Sequence, residues 1–173
     1  MVESAKPQYS EFTFKSKITQ DFVISSADNL KQLADFRAKL APGTKIMGTH
    51  SEVFHCDEVL ATAMLRYTKQ YENAALIRTR AQEVLDELDI VCDVGGVFDA
   101  SKNRFDHHQR SFNMAWHEEE NKPAVEGEPV VFKIKLSSAG LIYKYFGKEV
   151  LKNILSEIWP HSIYSESDLD KIH

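Results

Sequence analysis

Four of the seven histidines in this 173-residue chain fall in two short stretches. The first, "GTHSEVFHCDE" at 48–58, carries His50, His55 and Asp57. The second, "RFDHHQRSF" at 104–112, carries Asp106, His107 and His108 between Arg104 and Arg110. Between them, Asp93 follows the apolar stretch of "DIVCDVGG". Imidazole and carboxylate donors together suit Mn, Fe, Zn or Mg. One divalent ion needs about three protein ligands and keeps open positions for water. Two ions about 3.5–4 Å apart need a bridging carboxylate, and Asp93 is the natural bridge. Such a pair would polarise a phosphoryl group and lower the pKa of a bound water.

Each of these residues has an ordinary explanation when taken singly. A histidine near a strand end is usually just hydrogen-bonded, Asp57 could cap a helix, and His107-His108 could form a turn. Taken together, at three strand ends, they point to a metal site. The net charge of −5 provides no global basic field for a polyanion, so phosphate would have to be held locally. Arg78, Arg80, Arg104 and Arg110 are candidate phosphate contacts. Ser137 and Ser138 open a helix whose amides could receive an anion or be capped locally. Cys56 reads as a soft ligand or a packing thiol. The chain has no Walker loop, no GxGxxG and no nucleophile elbow.

The positioning elements follow from periodicity. Residues 26–43 predict a helix from Ser25/Ser26 to a Pro-Gly stop. Residues 44–50 predict a strand running into the first histidine loop. Residues 57–71 predict a helix with Val59, Leu60, Ala63, Met64 and Tyr67 on its apolar face. A strand at 73–79, a short helix at 81–88 and a buried strand at 89–96 follow. Residues 97–108 read as a hairpin or loop with a Lys-Asn turn, and the charged stretch 113–135 as an inserted loop. Two helices are expected at 135–147 and 148–159, with Gly147 stopping the first. The alternation predicts an α/β fold with a mostly parallel sheet flanked by helices. Its organisation would be an N-terminal arm and helix over 1–43, a metal-binding domain over 44–160, and a polar tail over 161–173.

Apolar residues make up 43% of the chain and charged residues 27%, which suits a globular domain with a real core. Two cysteines without a CxxC pair suggest a reduced, intracellular setting. No apolar run approaches the ~18 residues of a membrane span. Residues 1–20 lack a secretory h-region. Lys6, Lys15 and Lys17 faintly suggest a mitochondrial presequence, against Glu3 and Glu11.

The stretches "GTHSEVFHCDEVLATAMLR", "RTR", "DIVCDVGGVFD", "RFDHHQRSF" and "KLSSAGLIYKYFG" resemble the Myg-type exonuclease family, in register over residues 44–155. That family is grouped with the DHH phosphoesterases, alongside RecJ-type nucleases and manganese pyrophosphatases. The resemblance implies a DHH-type α/β domain with two metal ions, usually manganese, with Mg, Fe or Zn as alternatives. His50, His55 and Asp93 would hold one ion. Asp57, Asp93 and His107 would hold the other, with Asp93 bridging. His108 would face the substrate phosphate, and Asp106 would support the histidines or approach a metal. His55 stands where many relatives carry Asp, which leaves the ion open. Asp93, His107 and His108 would then be the catalytic set. The implied activity is 3′–5′ exonuclease action on nucleic acid, RNA in preference to DNA, by attack of a metal-bound hydroxide. The implied location is the nucleus, the mitochondrion or both, with the cytoplasm as an alternative. Other readings are a small-molecule phosphatase or pyrophosphatase, and a catalytically incomplete metal-binding module. Family members are usually longer, so the tail is expected to lead into a C-terminal part missing here.

Overall fold

The computed structural model describes residues 21–25, 28–116, 134–162 and 164–173. Nearly all of the expected N-terminal arm, Ser26, and most of the loop expected at 113–135 lie outside the described residues. Three short apolar runs form the middle of the sheet: β2 (Ile46–Thr49), β3 (Ala75–Arg78) and β4 (Ile90–Cys92). All three are buried along their whole length, as strands covered on both faces must be. β1 (Asp21–Val23) pairs in parallel with β3, in a stretch the sequence presented as polar arm. β5 (Phe98–Asp99) and β6 (Arg104–Phe105) form the expected hairpin, closed by a 3-10 turn and by Asn103 at φ 55°. The order is β1-β3-β2-β4-β6-β5, parallel throughout except for the edge pair β5–β6. This is the mostly parallel α/β architecture expected.

Alternation along the strands divides the core. Met47, Leu76, Ile90 and Cys92 join Ala61 and Leu65 of α2 (Cys56–Leu65) and Leu141 and Ile142 of α4 (Ser138–Ile158). Ile46, Ile77 and Val91 join Leu33 and Phe36 of α1 (Asn29–Arg37) and Val84 and Leu85 of α3 (Gln82–Leu85). Each fully buried Leu or Ile contributes about 1.5–3 kcal/mol. Among the described residues no helix is long and apolar enough to cross a membrane.

Three helical expectations need correction. Helix α2 ends at Leu65, and it buries Glu58, Ala61, Thr62 and Leu65 while Val59 and Leu60 stay exposed. Its rotation follows polar bonds made by Asp57 and Glu58, described below, rather than its larger apolar side chains. The two helices expected around Gly147 are one continuous helix, α4. The polar tail folds into α5 (Glu166–Ile172), where Ser165 and Asp168 cap each other reciprocally and Leu169 is buried. The ring of His173 then lies 5.0 Å from Trp116 and 5.1 Å from Tyr143. A Cβ on Gly147 would stand 2.7 Å from His173 Cδ2. Glycine is thus required by a close approach, not by a helix stop.

Parallel strands send their carboxyl ends the same way. His50 after β2, Asp93 after β4, and Asp106 to His108 after β6 therefore emerge on one edge. The chain leaves β2 for β3 on one side and returns to β4 on the other, so a crevice opens beyond β2 and β4.

Gly147→Ala should fail to gain the roughly 1 kcal/mol that helix propensity alone would add. The melting temperature should stay level or fall, and amide exchange across Glu166–Ile172 should quicken. A clear rise in Tm with unchanged exchange would contradict the packing of His173 on Gly147.

Candidate metal centre

Asp93 sits in the crevice with φ 62°, a left-handed conformation uncommon for a residue with a side chain, and Gly95 and Gly96 follow with positive φ. Its amide donates to the Phe105 carbonyl at 3.1 Å, which fixes the turn against β6. The residue is only 4% exposed, and its Oδ1 has no hydrogen-bond partner among the described residues. Burial lifts its carboxyl above the usual carboxylate range. Nearby Asp57 adds to this, while Ser138, His108 and His107 offset part of it.

His50 faces Asp93 from the end of β2 and is 3% exposed. Its Nδ1 lies 3.1 Å from the Ser51 carbonyl, which requires a proton on that nitrogen. In the neutral ring Nε2 then carries a free lone pair, the form in which imidazole binds a metal. Among the described residues Nε2 has no hydrogen-bond partner, and it lies 3.5 Å from Glu58 Oε2 and 3.6 Å from Asp93 Oδ2. Buried polar atoms without partners are rare, and two facing one crevice suit a bound cation.

His55 caps α2 in an extended conformation, and its ring lies 5.0 Å from that of His50. Glu58, three residues on, was not singled out from the sequence. Its Oε1 and Oε2 accept from the His55 amide at 2.8 and 2.9 Å, the returning half of a capping box. Burial acts to raise its pKa. The His55 amide, its own amide, His50 and Arg78 outweigh this and hold it below the usual range. The His-Cys-Asp-Glu order just before a helical run was the available signal.

Ligand atoms of His50, His55, Glu58 and Asp93 lie within 4.8 Å of one another, as do those of Asp93, His107 and His108. Asp93 belongs to both groups. The donors are nitrogen and oxygen, which suits divalent Mn, Fe, Zn or Mg. Cys56 is exposed and in neither group. Cys92 is buried, its thiol pushed far up by burial.

The other predicted residues are held close by. Asp57 accepts from the amides of Ser138 at 3.1 Å and Ala139 at 2.5 Å, so the anion on the α4 N-terminus is this carboxylate. It lies 3.3 Å from His107 Nε2 but enters neither group. Ser137 caps α4, its Oγ accepting from the Gly140 amide at 3.2 Å. Asp106 also enters neither group. Its Oδ2 accepts from the Gly96 amide at 2.6 Å, and its Oδ1 stands 2.7 Å from His108 Nδ1. Burial acts upward on Asp106, but His108 and the Gly96 amide hold it below the usual range. The same hydrogen bond raises His108 above the ordinary histidine range.

The arginines divide. Arg78 is buried, 3.4 Å from Glu58 Oε1, with its guanidinium 4.0 Å from the Phe54 ring centroid. Arg104 points away from the crevice and is used by backbone. Its NH2 donates to the carbonyls of Leu85, Asp86 and Leu88 at 3.1, 3.2 and 3.1 Å, closing the end of α3. That corrects its reading as a phosphate contact. Arg80 and Arg110 are exposed.

Over residues 46–173 the chain matches the model of a family described as "Uncharacterised protein family (UPF0160)". A MYG1 exonuclease of Homo sapiens is 47% identical over 119 residues, covering 69% of this chain and 30% of that protein. A MYG1 protein of Caenorhabditis elegans is 40% identical over 131 residues, covering 71% of this chain and 36% of that protein. A MYG1 exonuclease of Bos taurus is 48% identical over 109 residues, covering 63% of this chain and 27% of that protein. The matched region thus spans only 27% to 36% of these relatives. No solved structure matches.

Two consequences can be measured in metal-free protein. Asp106→Asn should lower the NMR titration midpoint of His108 toward the ordinary value of about 6.5. An unchanged midpoint would mean that the Asp106–His108 bond does not form in solution. Glu58→Gln should cost about 3 kcal/mol in chemical denaturation, because it leaves Arg78 buried without its anion. A loss below about 1 kcal/mol would show that the pair is solvated.

Proposed function

The chain belongs to the uncharacterised protein family UPF0160, and on that premise we propose that its crevice is the binuclear metal centre of a DHH-type phosphodiesterase. The proposed activity is 3′–5′ exonuclease action on nucleic acid, RNA ahead of DNA. The observation that carries this reading is Asp93, a buried carboxylate common to two groups of ligand atoms, with one oxygen left without a partner. The name MYG1 exonuclease on the human and bovine relatives supports the substrate class.

His50, His55, Glu58 and Asp93 would hold one ion. Asp93 and His107, with Asp57 beside them, would hold the other. Manganese is the first choice by resemblance, and the donors suit Mg, Fe or Zn as well. Such cations, when bound, polarise a phosphoryl oxygen and ease deprotonation of a water. The chain's own residues do the rest. Asp106 occupies Nδ1 of His108 and leaves Nε2 free to donate to a phosphate oxygen. Arg80 and Arg110 are exposed and suited to the neighbouring phosphates. Arg78 acts from beneath, through Glu58.

Manganese titration with elemental analysis tests the centre. Two ions per chain are expected. Asp93→Asn should lose both, and His50→Ala and His107→Ala should keep one each. Asp93→Asn retaining two ions would end the binuclear reading. The substrate is tested with a 5′-labelled single-stranded RNA in manganese, which should shorten as a ladder from the 3′ end. Turnover of pyrophosphate with the RNA intact would favour a small-molecule phosphatase instead.

A further inference from the structure

We propose that Phe54 is a stacking plate for a nucleobase beside the metal centre, so that the site takes a nucleotide unit of a single-stranded polynucleotide rather than a bare phosphate. The inference rests on the metal-phosphoester reading above and extends it to the base. Phe54 directly precedes His55, and the residue is 68% exposed. One face of the ring is taken by Arg78, whose guanidinium carbon lies 4.0 Å from the centroid. Arg78 is itself only 5% exposed and is held by Glu58. That same Glu58 accepts the His55 amide and stands 3.5 Å from His50 Nε2. The ring is therefore fixed from below, through an arginine and a carboxylate, to the wall of the crevice.

The arrangement has a cost. A large apolar side chain is left mostly in water, on a protein whose core could have used it. Covering Arg78 does not explain this, because an aliphatic side chain could shield a guanidinium and any shield gains by being buried itself. A planar ring with one face pinned and the rest open presents a flat π surface. Bases stack on such surfaces with little regard to sequence, which is what processive degradation of a strand requires. Val53, also 68% exposed, extends the apolar surface. Exposed Arg80 follows β3 two residues after Arg78, and exposed Arg110 follows His108 by two, so cationic residues accompany the aromatic plate in sequence, a pairing of types that suits single-strand binding.

The test uses Phe54→Trp in the full 173-residue chain, with the wild type and its two native tryptophans as the blank. In magnesium, adenosine 5′-monophosphate should quench the added fluorescence saturably, and ribose 5-phosphate should not. By calorimetry, Phe54→Leu should bind the nucleotide about 5- to 100-fold more weakly, as expected for one lost stack. Phe54→Tyr should bind it as the wild type does. Ribose 5-phosphate affinity and metal stoichiometry should be the same in all of them. If nucleotide and sugar phosphate bind wild type and Phe54→Leu equally, without quenching, the plate is refuted while the metal-phosphoester reading stands. If neither binds metal-loaded wild type, that reading fails and the plate falls with it.

Discussion

The carboxyl edge of this sheet is organised around one buried carboxylate, Asp93. Four carboxylates crowd the crevice, and three have partners supplied by the chain. Asp57 lies on the amides that open α4, Glu58 on Arg78 and the His55 amide, and Asp106 on His108 and the Gly96 amide. Asp93 has two imidazoles 3.6 Å away and an oxygen with no hydrogen bond. It is also held in a left-handed conformation, which costs of order 1 kcal/mol or more for a residue with a side chain. Burial and strain thus concentrate at one acidic residue, while its acidic neighbours are held by hydrogen bonds and an arginine.

The same polar bonds explain how the layers sit. Helix α2 turns its larger aliphatic side chains, Val59 and Leu60, to the outside. It does so because Asp57 must reach the start of α4 and Glu58 must reach Arg78 at the end of β3. Ala61 and Leu65, with Met64 packed partly buried against them, are what that rotation leaves for the core. Site chemistry thus sets the orientation of a framework helix, and the hydrophobic face accommodates it.

Much of this was legible in the sequence, for identifiable reasons. The strand positions and the α/β class followed from short apolar runs between helical stretches, because burial on both faces leaves that trace. His50, His55, Asp93, His107 and His108 stood out because each follows or closes such a run. Glu58 was hidden by its double use, as a capping residue and as the partner of an arginine 20 residues away. Arg78 and Arg104 were indistinguishable from Arg80 and Arg110 by type. Only the register of β3 and β6 decides which of them turn inward. Gly147 signalled a helix end because close packing by a residue 26 positions later leaves no local trace. The strand β1 was obscured by the polar sequence around it.

Burial falls steeply from the back of the crevice to its mouth. His50, Glu58, Arg78, Asp93 and Asp106 are buried, His107 is half-buried, and His55, His108, Phe54, Arg80 and Arg110 are exposed. Within the buried set Glu58, Arg78 and Asp106 are held by hydrogen bonds, and a set fixed in this way would need little reorganisation to receive an ion. The exposed set remains free to meet what arrives from solvent. A cation held by the folded chain and not by the unfolded one adds stability by mass action. The strain and desolvation at Asp93 would then be relieved by the ligand that gives the crevice its chemistry. On the proposed reading, folding and metal binding would be linked at this residue, and removing its charge would change both.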